Sequence, residues 1–95
     1  MLFVAIHTHT PELCPADSPE KIKKTVDIVA SEKHAKKTGV KVLGSYSAPP
    51  DHTLFFMLEA NDYDCVIDFF RPLMKLGTAR IIPVGVLGKV VTKFE

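Results

Sequence analysis

The spacing of apolar and polar positions predicts four strands. Leu2 to Thr10 is short and rich in β-branched and aromatic residues, which is typical of a strand. Val40 to Ala48 and Thr53 to Ala60 have the same character, and Pro49-Pro50-Asp51 between them predicts a hairpin turn. Ala79 to about Val91 predicts a fourth strand, which should lie at a sheet edge because a proline and two glycines bend it.

Two further segments have the signals of helices. Ser18-Pro19 predicts a helix start, and this helix should run to about Thr38 with a glycine cap after it. Its apolar positions form two stripes, which indicates either a break near Ser31 or a helix covered on two sides. Asn61 is the predicted cap of a second helix, which Pro72 should kink or shorten. The core-facing positions of that helix have the spacing i, i+3, i+4 and i+7: Val66, Phe69, Phe70 and Leu73.

The element order β-α-β-β-α-β predicts one domain over residues 1–95. With right-handed crossovers it gives a ferredoxin-like α+β fold, with a four-stranded antiparallel sheet of order 4-1-3-2 and both helices on one face. The other face would be bare, yet Leu54 to Leu58 is apolar at every position. Because both faces should therefore be covered, we expect a homodimer whose two sheets pack face to face into an α+β barrel.

Two stretches of the chain resemble a known group of proteins. Residues 35–46 (AKKTGVKVLGSY) contain a helix end, a glycine and a strand that ends in tyrosine. Residues 55–60 (FFMLEA) form a strand whose last two residues are an acidic residue and an alanine. Both are similar to the dimeric α+β barrel superfamily, and within it to the small GYD-type stress-response-like domains. The resemblance implies the barrel fold and a dimer. It implies no single function, since that superfamily includes oxygenases, isomerases, dehalogenating enzymes, haem enzymes and sensors.

Composition narrows the classes of partner. A net charge of +1 does not indicate a dedicated nucleic-acid or membrane-surface protein. The first helix is rich in lysine, but the aromatic motifs of RNA-recognition domains are missing, so we expect no nucleic acid as a partner. No segment has the features of a signal peptide or a membrane span. Two cysteines in such a chain indicate reduced thiols, and the expected location is the cytoplasm.

Three of the four histidines should meet at one end of the sheet. His7 and His9 are two residues apart on the first strand and so share a face. The first and third strands are antiparallel neighbours, which brings His52, at the start of the third strand, close to the end of the first. Cys14 follows in the loop at the same edge. Imidazole and thiolate bind divalent transition metals, zinc first among them, so these four residues are the predicted metal ligands.

The sequence leaves the chemistry of this site open. Three histidines with an open coordination position would polarise a water or a bound carbonyl, whereas a site closed by Cys14 would be structural. Glu12 or Asp51 are the alternative ligands to Cys14. The sequence therefore does not decide whether the protein is an enzyme.

A small-molecule ligand is the other partner class that we expect. Tyr46 ends the second strand and Arg80 opens the fourth, where they are candidates for a pocket that holds an anionic substrate. A metal-free barrel of the isomerase or monooxygenase type, with His7 or His9 as acid or base, is an alternative function. A non-catalytic stress or sensor module is a third. His34 lies among lysines and is predicted to be solvated.

Overall fold

The computed structural model describes residues 1–10, 18–29 and 31–88, and in these ranges the chain forms four strands and three helices. The strands are β1 (Leu2–Thr8), β2 (Val40–Ala48), β3 (Thr53–Ala60) and β4 (Thr78–Val84), and the helices are α1 (Pro19–Val29), α2 (Glu32–Thr38) and α3 (Tyr63–Phe70). Single 3-10 turns follow β2 at Pro49–Asp51 and α3 at Arg71–Leu73.

The four strands form one antiparallel sheet in the order β2-β3-β1-β4. This is the predicted order 4-1-3-2 in reverse, so the α+β fold and the sheet topology are confirmed and are compatible with a ferredoxin-like fold. β1 is a central strand, in which Thr8 pairs with Thr53 of β3 on one side and with Thr78 of β4 on the other. The register thus places the end of β1 beside the start of β3.

The core lies between one face of the sheet and helices α2 and α3. The predicted stripe of α3 and the turn after it is fully buried, since Val66, Phe69, Phe70 and Leu73 are all 0% exposed. Phe56 of β3 meets Phe70 edge to face, with ring centroids 5.1 Å apart, and Phe69 meets Phe70 in the same way at 5.0 Å. Such edge-to-face pairs contribute about 1 kcal/mol each beyond the burial of area. This aromatic cluster fixes α3 against the sheet.

The first predicted helix is in fact two helices, because the helix is interrupted near Ser31. Ser31 is the N-cap of α2, and its hydroxyl oxygen accepts a hydrogen bond from the His34 N–H at 3.1 Å. Gly39, with φ 78°, ends α2 in the left-handed conformation that favours glycine. Of the two explanations for the double stripe, the structure shows the break. None of the helices in the described ranges is long and apolar enough to cross a membrane.

The predicted N-cap of the second helix was wrong by one residue, whereas the effect predicted for Pro72 agrees with the structure. Asp62, and not Asn61, is the N-cap of α3: its carboxylate accepts a hydrogen bond from the Cys65 N–H at 2.9 Å. That contact satisfies one of the free donors of the first turn. The regular helix ends at Phe70, because Pro72 lacks the N–H that another turn would need, and the chain continues as a 3-10 turn.

Two strands are shorter than predicted. β1 ends at Thr8, and not at Thr10, and one further hydrogen bond in the same register, from the His9 N–H to the His52 carbonyl, follows its last pair. β4 begins at Thr78 and ends at Val84, well short of the predicted Val91. The last three residues of that prediction, 89–91, lie outside the described residues.

Within the described ranges, the face of the sheet opposite α2 and α3 keeps several apolar side chains partly exposed. Side chains alternate between the two faces of a strand, so the neighbours of each buried residue point to this face. In β1, Val4 and Ile6 are half-buried there, and in β3, Phe55 and Met57 are 39% and 36% exposed. We call this set, completed by three residues at its margins, the bare face: Leu2, Val4, Ile6, Phe55, Met57, Ile82 and Val84.

Gly77 provides a test of how closely β4 approaches β1. A Cβ at position 77 would overlap the carbonyl oxygen of Thr8 and lie 2.9 Å from the Cα of His9, so backbone would have to move. Gly77→Ala should therefore lower the free energy of unfolding by more than about 1 kcal/mol, measured by urea denaturation. Gly88→Ala is the matched control, because a Cβ there meets no described atom within 4 Å. Equal stability of the two variants would contradict the close approach.

Candidate metal centre

His7, His9 and His52 lie together where β1 ends and β3 begins. The ring centroids of His9 and His52 are 5.4 Å apart, with the rings edge to face, and those of His7 and His9 are 6.2 Å apart. His7 is 2% exposed and His9 is 9% exposed. The structure thus brings together the three histidines that the antiparallel arrangement of β1 and β3 predicts to be neighbours. We call them the histidine cluster.

The backbone of His52 holds two parts of the chain at this point. Its N–H closes the 3-10 turn by donating to the Pro49 carbonyl at 3.1 Å, and its carbonyl accepts the His9 N–H at 3.1 Å. His52 has φ 50° and ψ 43°, which is the left-handed conformation. That conformation costs a residue with a Cβ about 1 kcal/mol, and strain of this kind concentrates at functional sites. It also fixes the direction in which the His52 ring leaves the backbone.

The tautomer of His7 follows from the hydrogen bond that its ring makes within the described residues. Its Nε2 is 3.0 Å from the carbonyl oxygen of Leu73, in the 3-10 turn after α3. A carbonyl only accepts, so Nε2 carries the proton and donates it. In the neutral ring, Nδ1 then has a free lone pair. Pro72 contributes indirectly, because the turn that it forces is what presents the Leu73 carbonyl to the sheet.

Each ring of the histidine cluster has one buried nitrogen without a partner among the described residues: Nδ1 of His7, Nε2 of His9 and Nδ1 of His52. A buried polar atom that has lost its water and gained no partner costs about 1–3 kcal/mol. Such atoms are rare in folded proteins and are usually explained by a bound water or ion. Three of them on adjoining rings indicate a place for a ligand.

Burial keeps His9 in the state that a metal ligand needs. Loss of solvent lowers the pKa of His9 below its ordinary value of 6.5, and the neighbouring His7 and His52 lower that pKa further because two charged rings repel each other. His9 is therefore a neutral imidazole at neutral pH. A neutral ring nitrogen is the form that coordinates a metal.

The other predicted site residues are not placed in the histidine cluster. Cys14 and its alternative Glu12 lie outside the described residues, so that part of the prediction is untested. Asp51 is exposed in the 3-10 turn. Within the described part of the chain, no group of three or more His, Cys, Asp or Glu side chains already has an arrangement that could hold a metal ion.

Tyr46 and Arg80 lie on the side of the sheet away from the His7 ring. Tyr46 pairs with Phe55 and Arg80 with Ile6, and both partners belong to the bare face. His7 faces the buried side, where it contacts Leu73. Tyr46 and Arg80 also stand on opposite edge strands of the sheet. The structure therefore does not bring this pair together with the histidines, because the sheet itself separates them.

His34 has a structural role that the sequence did not reveal. It was expected to be solvated, but its Nε2 donates to the Phe69 carbonyl at 2.8 Å, and its ring centroid is 5.1 Å from that of Phe69. The contact ties α2 to the last turn of α3. No local pattern signals it, because the two residues are 35 positions apart in the chain.

No family model matches this chain, and no match is found among the curated proteins or among the solved structures.

The lowered pKa of His9 predicts that acid destabilises the metal-free protein. Above the unfolded-state pKa of about 6.5, His9 is neutral in both states; as the pH falls below that value the unfolded chain takes up the proton first, and folding stability is lost until the folded-state pKa is passed. Urea denaturation in the presence of a chelator should show a free energy of unfolding that falls as the pH drops below about 6.5. His9→Gln should reduce that fall, and an unchanged fall in this variant would contradict the assignment.

Proposed function

We propose that this protein is a small metal-binding domain in which His7, His9 and His52 bind one divalent transition metal, zinc in the first place. The observation that carries the proposal is the set of three buried ring nitrogens without a partner in the described structure. Imidazole nitrogen is a preferred ligand of zinc and of other late divalent metals. An ion shared by the three rings would give every one of these atoms a partner at once.

The hydrogen bond of His7 supports this proposal. A histidine that binds a metal through one ring nitrogen usually donates the proton of the other to a carbonyl or a carboxylate, which fixes its tautomer and orientation. His7 already makes that contact, with Nε2 donating to Leu73. Its Nδ1 would then be the ligand atom. In the other two rings, the nitrogens without a partner in the described structure would be the ligand atoms: Nε2 of His9 and Nδ1 of His52.

The spacing of the rings is close to what a shared ion needs. With Zn–N bonds of about 2 Å in a tetrahedral site, two coordinating imidazoles have ring centroids about 5 Å apart. His9 and His52 stand at 5.4 Å and His7 and His9 at 6.2 Å. For these two pairs, binding requires the ring centroids to close by about 1 Å or less, and the free nitrogens must turn toward one point.

Three protein ligands leave a tetrahedral zinc with one open position. Filled by water, that position would make the ion a Lewis acid, and filled by a thiolate it would make the site structural. Cys14 as the fourth ligand remains a prediction. We assign no reaction to the site, and a cytoplasmic location also remains a prediction.

Metal titration of the purified chain tests the proposal. We expect one Zn²⁺ or Co²⁺ ion per chain, measured by calorimetry and by the visible spectrum of cobalt. His52→Gly should weaken binding by more than about 100-fold, because it removes a ligand, whereas loss of outer contacts alone costs about 10–100-fold. Glycine adopts the left-handed backbone of position 52 without strain, so this variant should fold at least as well.

His34→Gln is the matched control, since His34 is the one histidine outside the histidine cluster. It should leave the metal affinity unchanged. Cobalt also reports on Cys14, because a thiolate ligand adds a charge-transfer band in the near ultraviolet. Absence of stoichiometric binding in the unsubstituted chain, or equal affinity in His52→Gly, would contradict the proposal.

We also propose that a second copy of the chain covers the bare face, giving the dimeric barrel that the sequence resemblance implies. The support is the apolar character of this face: Val4, Ile6, Phe55 and Met57 form its centre, and each is at least partly exposed in the single chain. An apolar sheet face of this kind is a typical interaction surface. Burying it against an identical face forms a closed two-fold assembly.

A lysine on the bare face tests the dimer. Met57→Lys should convert the dimer to a monomer in sedimentation velocity experiments, because the interface would have to bury two unpaired ammonium groups. Met74→Lys is the matched control: Met74 is 45% exposed, against 36% for Met57, but lies after α3 and outside the bare face. A monomeric unsubstituted protein, or the same effect of both substitutions, would contradict this interface.

A further inference from the structure

Tyr46 and Arg80 stand at the two ends of one row of side chains that crosses the sheet on the side of the bare face. The pairing of adjacent strands gives the order of this row: Tyr46, Phe55, Ile6 and Arg80. Neighbouring strands are about 4.8 Å apart, so the backbones of Tyr46 and Arg80 are about 14 Å apart in one chain. Because Phe55 and Ile6 stand between them, the two ends of the row do not meet within one chain.

The Tyr46 ring lies over Gly44, two residues earlier in β2. A Cβ at position 44 would be 2.9 Å from the Tyr46 hydroxyl oxygen and 3.0 Å from its Cε2, so the ring occupies space that a side chain at 44 would need. Tyr46 is nevertheless 67% exposed. The ring therefore offers a large open aromatic surface at the margin of the bare face.

Arg80 is an exposed cation at the opposite margin. Its neighbours on this side of the sheet are apolar, with Ile6 beside it in β1 and Ile82 two residues further along β4. Within the part of the chain that the structure describes, Arg80 has no ion pair with a carboxylate. A guanidinium keeps its charge at any ordinary pH. A partner that covers the bare face must therefore offer Arg80 a favourable contact, because a covered and unpaired charge is costly.

The symmetry of a dimer can bring the two ends of the row together. A two-fold axis that runs between two facing sheets, parallel to the strands and midway between β3 and β1, exchanges β2 with β4. Tyr46 then faces Arg80 of the partner subunit, and Phe55 faces Ile6 of the partner subunit. Facing sheets are about 10 Å apart, a gap that tyrosine and arginine side chains together can span. A tilt of about 30° between the sheets shifts the facing residues by only about 4 Å.

We propose that two copies of the chain pack through the bare face with their strands nearly aligned, so that the Arg80 guanidinium of each copy lies on the Tyr46 ring of the other. This inference rests on the dimer proposed above and adds the orientation and the side chains that specify it. A guanidinium over an aromatic ring is a favourable cation–π contact. The two-fold axis produces two such contacts, one at each edge of the interface. The pair that the sequence grouped together would then meet between copies.

Dimers assembled from one ¹³C-labelled and one unlabelled chain test the contact by isotope-filtered NOE spectroscopy. Cross-peaks should connect the Tyr46 ring protons of one copy to the Arg80 side-chain protons of the other. A dimer without these cross-peaks would overturn the proposed orientation and leave the dimer itself in place. A chain that sediments as a monomer would overturn both the dimer and the orientation.

Substitutions at the two ends of the row test the energy of the contact. Arg80→Gln and Tyr46→Leu should each raise the dimer dissociation constant at least about tenfold in sedimentation equilibrium experiments, because each removes two equivalent contacts. Tyr46→Phe should leave the dissociation constant unchanged, since it keeps the ring. An equal loss in Tyr46→Phe and Tyr46→Leu would contradict a contact made through the ring.

Lys41→Gln is the matched control for charge, because Lys41 is an exposed cation on the same side of the sheet, in a different row, where it pairs with Glu59. It should dimerise as the unsubstituted chain does. Glu59→Gln tests a crossed packing of the sheets, in which Arg80 would pair with a carboxylate, and it should also leave the dimer unchanged. If either substitution weakened the dimer as much as Arg80→Gln does, the proposal would be overturned. An equal effect of Lys41→Gln would indicate only net charge, and an equal effect of Glu59→Gln would indicate an ion pair.

Discussion

The antiparallel register of β1 against β3 is the constraint on which the rest of this structure depends. It pairs Thr8 with Thr53, and it leaves the backbones of His9 and His52 joined by a hydrogen bond just beyond the ladder. A slip of one residue would move every side chain of β1 to the opposite face. His7 would then leave the core and Ile6 would enter it. The same register therefore fixes both the histidine cluster and the bare face.

The end of the core beside the histidines differs from the rest because polar rings replace apolar ones. Elsewhere aromatic residues of β3 and α3 fill the space, with Phe56, Phe69 and Phe70 in edge-to-face contact. At the histidine cluster, the structure describes one buried hydrogen bond from a ring nitrogen, that of His7 to the Leu73 carbonyl. A domain of this size has little stability to spare, so three buried nitrogens that have no partner in the described structure are a substantial cost. A bound ion would convert that cost into binding energy, which links the proposed function directly to stability.

Most of the fold could be predicted because it follows from patterns that are local in the sequence. Strand and helix periodicity, together with the handedness of crossovers, gave the sheet order, and the topology alone placed His52 near His9. The choice between Asn61 and Asp62 as the cap of α3 could not be made, since both residue types serve. The left-handed backbone of His52 and the hydrogen bond from His34 to Phe69 could not be predicted either, because each depends on how distant elements pack. The sequence assigned Tyr46 and Arg80 to strand ends but not to a face, and the register of the sheet places both on the face opposite the His7 ring.

The central claim is that three particular nitrogen atoms share one metal ion, and the ¹⁵N spectrum of the histidine side chains tests it directly. Correlation of ring nitrogens with ring protons, recorded with and without one equivalent of Zn²⁺, separates free, protonated and coordinated nitrogens. We expect Nδ1 of His7, Nε2 of His9 and Nδ1 of His52 to change together from free to coordinated shifts, while both nitrogens of His34 stay unchanged. Unchanged shifts in all three rings, or a change in only one of them, would contradict the claim.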